Sequence, residues 1–333
     1  MKAIILAGGS GQRFWPLSTA ETPKQFLPLF SKRSLLRNTF DRLNQRIPTK
    51  DIAIVTGHSQ ISRTQNEIPE LPKSMILGEP EQKNTAPAVL FGMLPFASDD
   101  LVGVFPADHL IIDIDAFWTT MDFALRVVTA YDGLFTFGMI PSRPETGYGY
   151  IKTGQRIQPG AFKVDKFVEK PSLEEATTMT NTDGFFWNGG MFLFPKKTFL
   201  REMQKHCPEV FDPISQLHSP RLELIKPIYQ RIPSISIDYA LMERSDSVYM
   251  IESGFPWSDV GSWDSIAELE DKQKIKTDQT LIESHNVYIR DETNTPTTII
   301  GVNDAIVVHT KEGLLICKKG LAQRVKERFI KKG

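Results

Sequence analysis

The chain has 333 residues, more than one hydrophobic core usually serves, so we expect a large domain of roughly 200 to 270 residues and a smaller one. Its 39 Lys and Arg residues are balanced by 40 Asp and Glu residues, which excludes a broad basic surface for nucleic acid or an anionic membrane. The two cysteines, Cys207 and Cys317, have no second Cys at metal-ligand or redox spacing. The first apolar run is too short for a signal peptide and no run is long enough to span a membrane, so we expect a cytoplasmic protein.

Short apolar runs alternate with helical patterns through the first two thirds of the chain. Five of these runs are typical of buried strands: residues 3–7, 52–56, 75–78, 101–105 and 134–138. The clearest helix is expected from Asp115 to Tyr131, with Asp115 as its N-cap and Gly133 just past its end. A capping box of Ser172 and Glu175 opens another helix. This order predicts an α/β fold, with a Rossmann-like, mostly parallel mixed sheet covered by helices on both faces.

The composition changes near residue 270, where a charged segment is followed by short apolar strands. These strands are expected at residues 287–289, 298–302, 305–308 and 314–317. We therefore expect a large catalytic domain at 1–270 and a small β-rich domain at 271–333. A basic helix from Leu321 to Lys332 closes the chain, and its positive charges suit its own C-terminal dipole.

A glycine-rich loop, GGSGQRFWP, follows the first predicted strand. Glycines at a strand-to-helix turn let backbone N–H groups approach a phosphate. The loop lacks the Lys and Ser/Thr of a P-loop, and Phe14 takes the place of the third Gly in the dinucleotide fingerprint. A structural tight turn would explain the glycines alone, but Arg13 and the nearby Lys24 add two cations and favour a triphosphate site. The residues expected to bind the nucleotide here are Leu6, Ala7, Gly8, Gly9, Ser10 and Gly11.

This loop and the TPKQ motif around Lys24 resemble the signature of the sugar-1-phosphate nucleotidyltransferases, and the resemblance continues along most of the chain. It is closest to the branch of that family that uses GTP and mannose 1-phosphate. The segments that carry it are GEP and KNTAP at 78–87, PADH at 106–109, RPETGYGYI at 143–151, FVEKP at 167–171, WNGGMF at 187–192, SIDYALME at 236–243 and WSDVGSW at 257–263. The resemblance implies transfer of GMP to mannose 1-phosphate, with GDP-mannose and pyrophosphate as products.

Two aspartates are candidates for a metal site. Asp108 follows the fourth predicted strand at the ligand-binding edge, and Asp259 lies in a turn of the WSDVGSW segment. A lone Asp is more often a cap or turn residue, but the family's metal Asp stands at the position of Asp108. Since Mg²⁺ prefers one or two carboxylates together with phosphate oxygens and water, we expect Asp108 and Asp259 to bind Mg²⁺. His109 has no second His at ligand spacing and is expected to be structural.

Glu79 is the candidate for recognising the base. Guanine presents two adjacent donors, N1–H and the N2 amine, and a carboxylate accepts both, whereas adenine and uracil have no such pair. An exposed surface Glu is the alternative interpretation. The resemblance also places Asn84 and Pro106 at the nucleotide.

The middle of the chain is expected to bind the sugar phosphate. The resemblance assigns this role to Gly147, Tyr148, Glu169, Lys170, Asn188 and Asp238, with Lys170 at the phosphate and Asp238 near the sugar or the metal. Adjacent residues of a regular strand point to opposite faces, so Glu169 and Lys170 serve one ligand only if the backbone is irregular there. If the strand is regular, one of the two is a surface residue.

The catalytic set is therefore expected to be Arg13, Lys24, Asp108, Lys170 and Asp259, acting by charge and orientation without an enzyme nucleophile. Two alternatives remain open: transfer to another sugar 1-phosphate or from another nucleotide, and a regulator that binds nucleotide sugars without turnover. The C-terminal β segment resembles one that related enzymes use for subunit contact, so we expect a homodimer.

Overall fold

The structure is a computed structural model that describes residues 1–9, 11–270 and 279–329. Its strands are β1 (Lys2–Ala7), β2 (Ile52–Gly57), β3 (Ile76–Glu79), β4 (Leu101–Pro106), β5 (Leu110–Ile111), β6 (Leu134–Met139), β7 (Gly149–Gln158), β8 (Ala161–Glu169), β9 (Phe185–Pro195), β10 (Val248–Glu252), β11 (Trp257–Ser258), β12 (Gln279–Ile282), β13 (Tyr288–Asp291), β14 (Thr297–Ile300), β15 (Ala305–Thr310) and β16 (Gly313–Lys318). Its α-helices are α1 (Leu35–Asn44), α2 (Ile61–Glu67), α3 (Thr85–Gly92), α4 (Ile114–Ala130), α5 (Leu173–Thr180), α6 (Lys196–His206), α7 (Pro208–Ser215), α8 (Leu222–Tyr229) and α9 (Trp263–Glu270). Short 3₁₀ helices lie at Gln12–Phe14, Lys24–Phe26, Thr49–Asp51, His58–Gln60, Lys73–Met75 and Ala322–Phe329, and a π-helix at Asp238–Met242.

Contacts between residues divide the chain into two units. The first, here called the sheet unit, consists of Met1–Gly8, Arg37–Ala107 and Ile111–Trp257. The second, here called the loop unit, consists of Gly9–Leu36, Asp108–Leu110 and the described residues from Ser258 onward. Contacts thus group the glycine-rich loop with the C-terminal segment, whereas the division expected at residue 270 follows composition along the chain.

The sheet unit contains a mixed sheet in the order β3-β2-β1-β4-β9-β6-β10-β8-β7. Strand pairings show that β8 and β9 run opposite to the other strands of this sheet, so it is mostly parallel as predicted. Every residue of β6 is buried, which means that both faces of the sheet are covered at its centre. Because β1 to β4 are parallel, their carboxyl ends meet at one edge, where ligands bind in open α/β sheets.

The predicted helix boundaries are largely confirmed, with one correction. Helix α4 begins at Ile114, and its N-cap is Asp113, whose Oδ1 accepts from the Ala116 N–H at 2.9 Å. The expected N-cap Asp115 was wrong, since it lies in the first turn. The capping box before α5 is confirmed, with the Glu175 N–H donating to Ser172 Oγ at 3.3 Å and the Ser172 N–H to Glu175 Oε2 at 2.8 Å.

The loop unit has its own hydrophobic core. Strands β12 and β14 pair in parallel, and β13, β15 and β16 form a three-stranded sheet with β15 in the middle. Residues from the Gly9–Leu36 segment and from the segment that starts at Ser258 share this core: Phe14, Leu27, Leu29, Val260, Trp263, Ile306 and Val308. The terminal helix is a 3₁₀ helix that ends at Phe329 within the described residues, and residues 330–332 of the predicted helix lie outside them. No helix among the described residues is long and apolar enough to cross a membrane.

Candidate active site

A pocket of about 340 Å³ lies within the loop unit. It brings together six of the residues that the sequence placed at a triphosphate and a metal, namely Gly9, Gly11, Arg13, Lys24, Asp108 and Asp259. Further residues that line it are Gln12, Phe14, His109, Gly261 and Lys326. Ser10, also predicted to bind the nucleotide, lies outside the described residues.

Lys24 is the central cation of this pocket. Although its side chain is only 8% exposed, its Nζ donates to Asp108 Oδ2 at 2.8 Å and to the backbone carbonyl of Asp259 at 2.6 Å. The Nζ also lies 5.4 Å from the centre of the Phe14 ring. These contacts fix the position of a buried ammonium group between the two predicted metal ligands.

Asp108 stays ionised in this environment. Burial acts to raise its pKa, but the charges of Lys24 and His109 and the hydrogen bond from Lys24 outweigh it, so the pKa of Asp108 lies below its usual value. Its side chain remains 33% exposed, which leaves carboxylate surface for a further ligand. Among the described residues no group of three or more His, Cys, Asp and Glu side chains forms a metal site. Two carboxylates in one pocket suit Mg²⁺ nevertheless, because this ion retains phosphate and water ligands.

Gly11 is required by the close approach of Lys24. Its φ is 63°, in the left-handed region, and a Cβ built there would lie 2.6 Å from both the backbone N and the Cβ of Lys24. Gly9 differs, since a Cβ at that position meets nothing within 4 Å. Gly11 therefore allows the close approach of Lys24, whereas Gly9 leaves its backbone open towards the pocket.

Glu79 ends β3 in the sheet unit and is buried, with 4% of its surface exposed. Its Oε1 accepts a hydrogen bond from the Tyr229 hydroxyl at 3.1 Å. Burial raises the pKa of Glu79 to about 8, although the Tyr229 hydrogen bond offsets part of this effect. The alternative interpretation of an exposed surface Glu was wrong. A Cβ at Gly8 would lie 3.7 Å from Glu79 Oε2, so the end of β1 also leaves room beside this carboxylate.

The other predicted nucleotide residues of the sheet unit lie at the carboxyl edge. Leu6 pairs with Pro106 in the sheet register, and the Ala7 carbonyl accepts from Thr56 Oγ1 at 3.1 Å. Asn84 has a φ of 68° and caps helix α3, with its Oδ1 accepting from the Thr85 N–H at 2.9 Å. Its side-chain oxygen therefore has a structural partner.

Asn188 and Asp238, both predicted to bind the sugar, lie in direct contact. Asn188 Nδ2 donates to Asp238 Oδ1 at 2.8 Å, and Asn188 Oδ1 accepts from Thr136 Oγ1 at 2.7 Å. Burial, with the nearby charge of Glu169, raises the pKa of Asp238 to about 7, although its hydrogen bonds and Lys170 act in the opposite direction. Asp238 therefore exchanges its proton in the neutral range and can donate or accept at a sugar hydroxyl.

The side chains of Glu169 and Lys170 contact each other because the backbone is irregular at Lys170. This is the irregularity that a shared ligand for the two residues requires. Lys170 has a φ of 50°, and its Nζ forms an ion pair with Glu169 Oε1. The Glu169 side chain is 7% exposed and that of Lys170 is 58% exposed, so the lysine head faces solvent. The Lys170 N–H donates to the Tyr148 carbonyl at 3.2 Å. Gly147, next to Tyr148, donates its N–H to Glu145 Oε1 at 3.0 Å.

Several residues of these sites were missed by sequence reasoning. Tyr229 contacts Glu79 across 150 residues and stands in no motif, so nothing local marks it. The Tyr148 ring packs edge-on against Trp187 at 5.2 Å and against Trp257 at 5.4 Å between ring centroids. Both tryptophans lie in family motifs, but neither was assigned a contact with Tyr148. Lys326 was assigned only to the dipole of its own helix, yet it lines the pocket of the loop unit.

Comparisons with known proteins place the chain in a family. The family model described as nucleotidyl transferase matches residues 2–275, and the model described as MannoseP isomerase/GMP-like beta-helix domain matches residues 277–331. A mannose-1-phosphate guanylyltransferase of Salmonella montevideo is 36% identical over 343 residues, which cover 97% of this chain and 72% of the relative. A protein of the same description from Escherichia coli strain K12 is 36% identical over 97% of this chain and 72% of its own length. The crystal structure described as mannose-1-phosphate geranyltransferase from Thermus thermophilus is 30% identical, with a TM-score of 0.84 over 99% of this chain and 98% of that one.

Proposed function

The chain belongs to the nucleotidyl transferase family and catalyses sugar-phosphate nucleotidyl transfer, and from that premise we propose that it transfers GMP from GTP to α-D-mannose 1-phosphate. The products are GDP-mannose and pyrophosphate. The observation that carries the proposal is the pocket in which two cations, Arg13 and Lys24, stand with two carboxylates, Asp108 and Asp259. The relatives described as mannose-1-phosphate guanylyltransferases support the choice of substrates.

The reaction needs no nucleophile from the protein. The sugar phosphate is an anion at neutral pH, and one of its oxygens attacks the α-phosphorus of GTP in line with the leaving pyrophosphate. The protein must hold two anions together and stabilise the charge that develops on the leaving group. We assign that stabilisation to Arg13 and to the buried ammonium group of Lys24.

Asp108 and Asp259 would hold a Mg²⁺ ion. When bound, this ion supplies charge neutralisation and orientation of the phosphate oxygens. The lowered pKa of Asp108 supports this role, because a carboxylate must be ionised to bind a metal. Lys24 contacts one oxygen of Asp108 and the backbone of Asp259, so it holds both residues in the pocket while the carboxylates serve the ion.

Glu79 is assigned to the guanine base. Its carboxylate is buried at the ligand edge of the sheet, where it accepts one hydrogen bond from Tyr229. Burial alone disfavours the ionised form of the Glu79 carboxylate. The two N–H donors of guanine would hydrogen-bond to this ionised form and favour it. A buried carboxylate of this kind rejects adenine, because adenine has no matching pair of donors and would leave the charge unpaired.

The sugar phosphate is assigned to the group around Asp238. Asn188 and Asp238 provide a hydrogen-bonded pair for hydroxyls, with Glu169 beside them, and the exposed head of Lys170 provides a cation for the phosphate. The Tyr148 backbone, which accepts from the Lys170 N–H, and Gly147 form the edge next to them.

The experiment that tests this proposal measures pyrophosphate release with a matrix of nucleoside triphosphates and sugar 1-phosphates in the presence of Mg²⁺. We expect GTP with mannose 1-phosphate to give the largest kcat/KM. A larger value for glucose 1-phosphate or for another nucleotide would assign the chain to a different specificity. Binding of GDP-mannose without release of pyrophosphate in any pair would instead indicate a regulator.

We further propose that the chain forms a cytoplasmic homodimer through its C-terminal strands. Strand β16 lies at the edge of its sheet among the described residues, and Leu314 and Ile316 on it are 52% and 63% exposed. Sedimentation equilibrium of the wild type and of an Ile316→Lys variant tests this, since a dimer through this face would dissociate in the variant.

A further inference from the structure

The pocket of the loop unit contains a cation from the far end of the chain. Lys326 lies on the terminal 3₁₀ helix, Ala322–Phe329, and lines the same pocket as Arg13, Lys24, Asp108 and Asp259. Among the described residues Lys326 forms no ion pair within 4 Å, and its charged neighbour Glu327 is ion-paired with Arg324 at 2.9 Å, although the charge of Lys326 also acts on it. Its ammonium group is therefore available to an anion that enters the pocket.

The charge balance of the pocket indicates what Lys326 contributes to anion binding. The charges of Arg13 and Lys24 are matched by those of Asp108 and Asp259, so these four groups together offer no net positive charge to an anion. Lys24 is, in addition, already paired with Asp108. Lys326 is the residue that makes the set of these five groups net positive, before any metal ion is counted.

The helix that carries Lys326 is firmly anchored within the loop unit. Both oxygens of the Asp264 carboxylate accept backbone N–H groups at its start, from Gly320 at 2.7 Å and Ala322 at 3.1 Å. Two residues of the helix itself, Ala322 and Val325, are buried. A side chain on an anchored helix has a defined reach, so Lys326 differs from a lysine on a loose tail.

The same helix contacts the glycine-rich loop directly. The Arg328 guanidinium lies 4.0 Å from the centre of the Trp15 ring, and the Trp15 carbonyl accepts from Trp263 Nε1 at 3.0 Å. Thr310 Oγ1 donates to the carbonyl of Pro16 at 3.3 Å. The C-terminal segment thus holds the loop through Trp15 and Pro16 and presents Lys326 beside it.

We propose that Lys326 is a phosphate-binding residue of the active site, which holds the terminal phosphates of the nucleotide before transfer and the pyrophosphate group after it. This inference rests on the proposed function, because it assigns one more residue to the same site. It also gives the small C-terminal domain a part in substrate binding.

Binding of inorganic pyrophosphate with Mg²⁺ to the complete chain, measured by calorimetry, tests the proposal without requiring turnover. In Lys326→Ala we expect the Kd to rise about tenfold, the scale of one lost charge-assisted hydrogen bond. Lys326→Arg keeps the charge and should stay within about threefold of the wild type. Lys32→Ala, which removes an exposed lysine of the loop unit that does not line the pocket, is the matched control and should leave Kd unchanged.

Kinetics give a second readout. In Lys326→Ala we expect the KM for GTP, and for pyrophosphate in the reverse reaction, to rise while the KM for mannose 1-phosphate stays the same. Equal pyrophosphate affinity in the wild type and Lys326→Ala overturns the assignment of Lys326. If Lys326→Ala binds pyrophosphate about tenfold more weakly than the wild type, but GTP and mannose 1-phosphate give no product, the assignment of Lys326 stands and the proposed substrates fail.

Discussion

Replacement of Glu79 by Gln tests how the base is recognised. Glu79 is 4% exposed and its Oε1 accepts from the Tyr229 hydroxyl, a bond that the Oε1 of Gln also accepts. The change therefore keeps the shape and the Tyr229 partner while it removes the charge and replaces one acceptor by an N–H donor. We expect the kcat/KM for GTP to fall about 10²-fold or more, because one charge-assisted hydrogen bond of about 1.5–3 kcal/mol is lost and a guanine donor is left unsatisfied. ATP should be used no worse than before, so the preference for GTP should largely disappear.

The pH dependence gives this prediction a distinctive sign. Burial raises the pKa of Glu79 to about 8 in the unbound protein, and only the ionised carboxylate accepts both guanine donors. In the wild type, kcat/KM for GTP should therefore rise roughly tenfold per pH unit below about pH 8 and level off above it. Glu79→Gln cannot ionise, so this rise should be absent. Steady-state kinetics with GTP and ATP between pH 6 and 8.5 measure both effects.

As pH rises towards 8, the free energy of unfolding should fall while kcat/KM for GTP rises. The folded-state pKa of Glu79, about 8, lies above its ordinary value of 4.5, so the folded protein binds the extra proton between these values. The associated stability is present below about pH 4.5 and is lost as pH rises through about 8. At pH 9, Glu79→Gln should raise the free energy of unfolding by up to about 5 kcal/mol, which thermal unfolding would detect.

Tyr229→Phe is the matched control for this experiment. The variant keeps the carboxylate but removes the Tyr229 hydroxyl that donates to it. Because that hydrogen bond lowers the pKa of Glu79 in the wild type, the pKa should be higher in the variant. The rise of kcat/KM for GTP should move to higher pH, while the preference for GTP at high pH remains. An unchanged ratio of kcat/KM for GTP and ATP in Glu79→Gln, with the wild-type pH profile, would refute the assignment of Glu79 to guanine.

Three further predictions concern the pocket of the loop unit. Lys24→Ala should lower kcat about 10²-fold at saturating substrates and raise the pKa of Asp108, and near wild-type turnover would contradict a role at the leaving group. Gly11→Ala should lower the free energy of unfolding by about 1–3 kcal/mol and reduce kcat, because the new Cβ meets Lys24; Gly9→Ala is the control, with an unchanged Tm in calorimetry. Removal of Mg²⁺ by EDTA should abolish pyrophosphate release reversibly, and Asp259→Asn should raise the Mg²⁺ concentration for half-maximal activity; full activity in EDTA would argue against the metal site.

Much of the fold could be predicted from local patterns. Periodicity located the strands of the parallel half within one or two residues, and the capping box of Ser172 and Glu175 located the start of α5. These features depend on residues that are close in sequence, so a single chain reveals them. The N-cap of α4 was missed because Asp113 and Asp115 are both good caps, and only the backbone hydrogen bonds distinguish them.

Residue chemistry and the family motifs marked the candidate site, but not its internal contacts. The residues Arg13, Lys24, Asp108 and Asp259 were all identified in advance, and the structure places them in one pocket. The sequence could show only that Glu169 and Lys170 serve one ligand if the backbone is irregular at that point, not that it is irregular. A positive φ in a residue other than Gly, as at Lys170, is imposed by surroundings that the sequence does not reveal.

The sequence alone therefore determined which chemical groups are present and which elements carry them, since these depend on residue identity and local spacing. The tertiary structure decided which groups meet. The contacts of Lys24 with Asp108 and Asp259 span 84 and 235 residues, and that of Glu79 with Tyr229 spans 150. Packing also decided charge state, because the pKa of Glu79 depends on burial that only the folded chain provides. For the same reason Lys326, an ordinary lysine in the sequence, became part of the pocket only when the terminal helix was packed against its core.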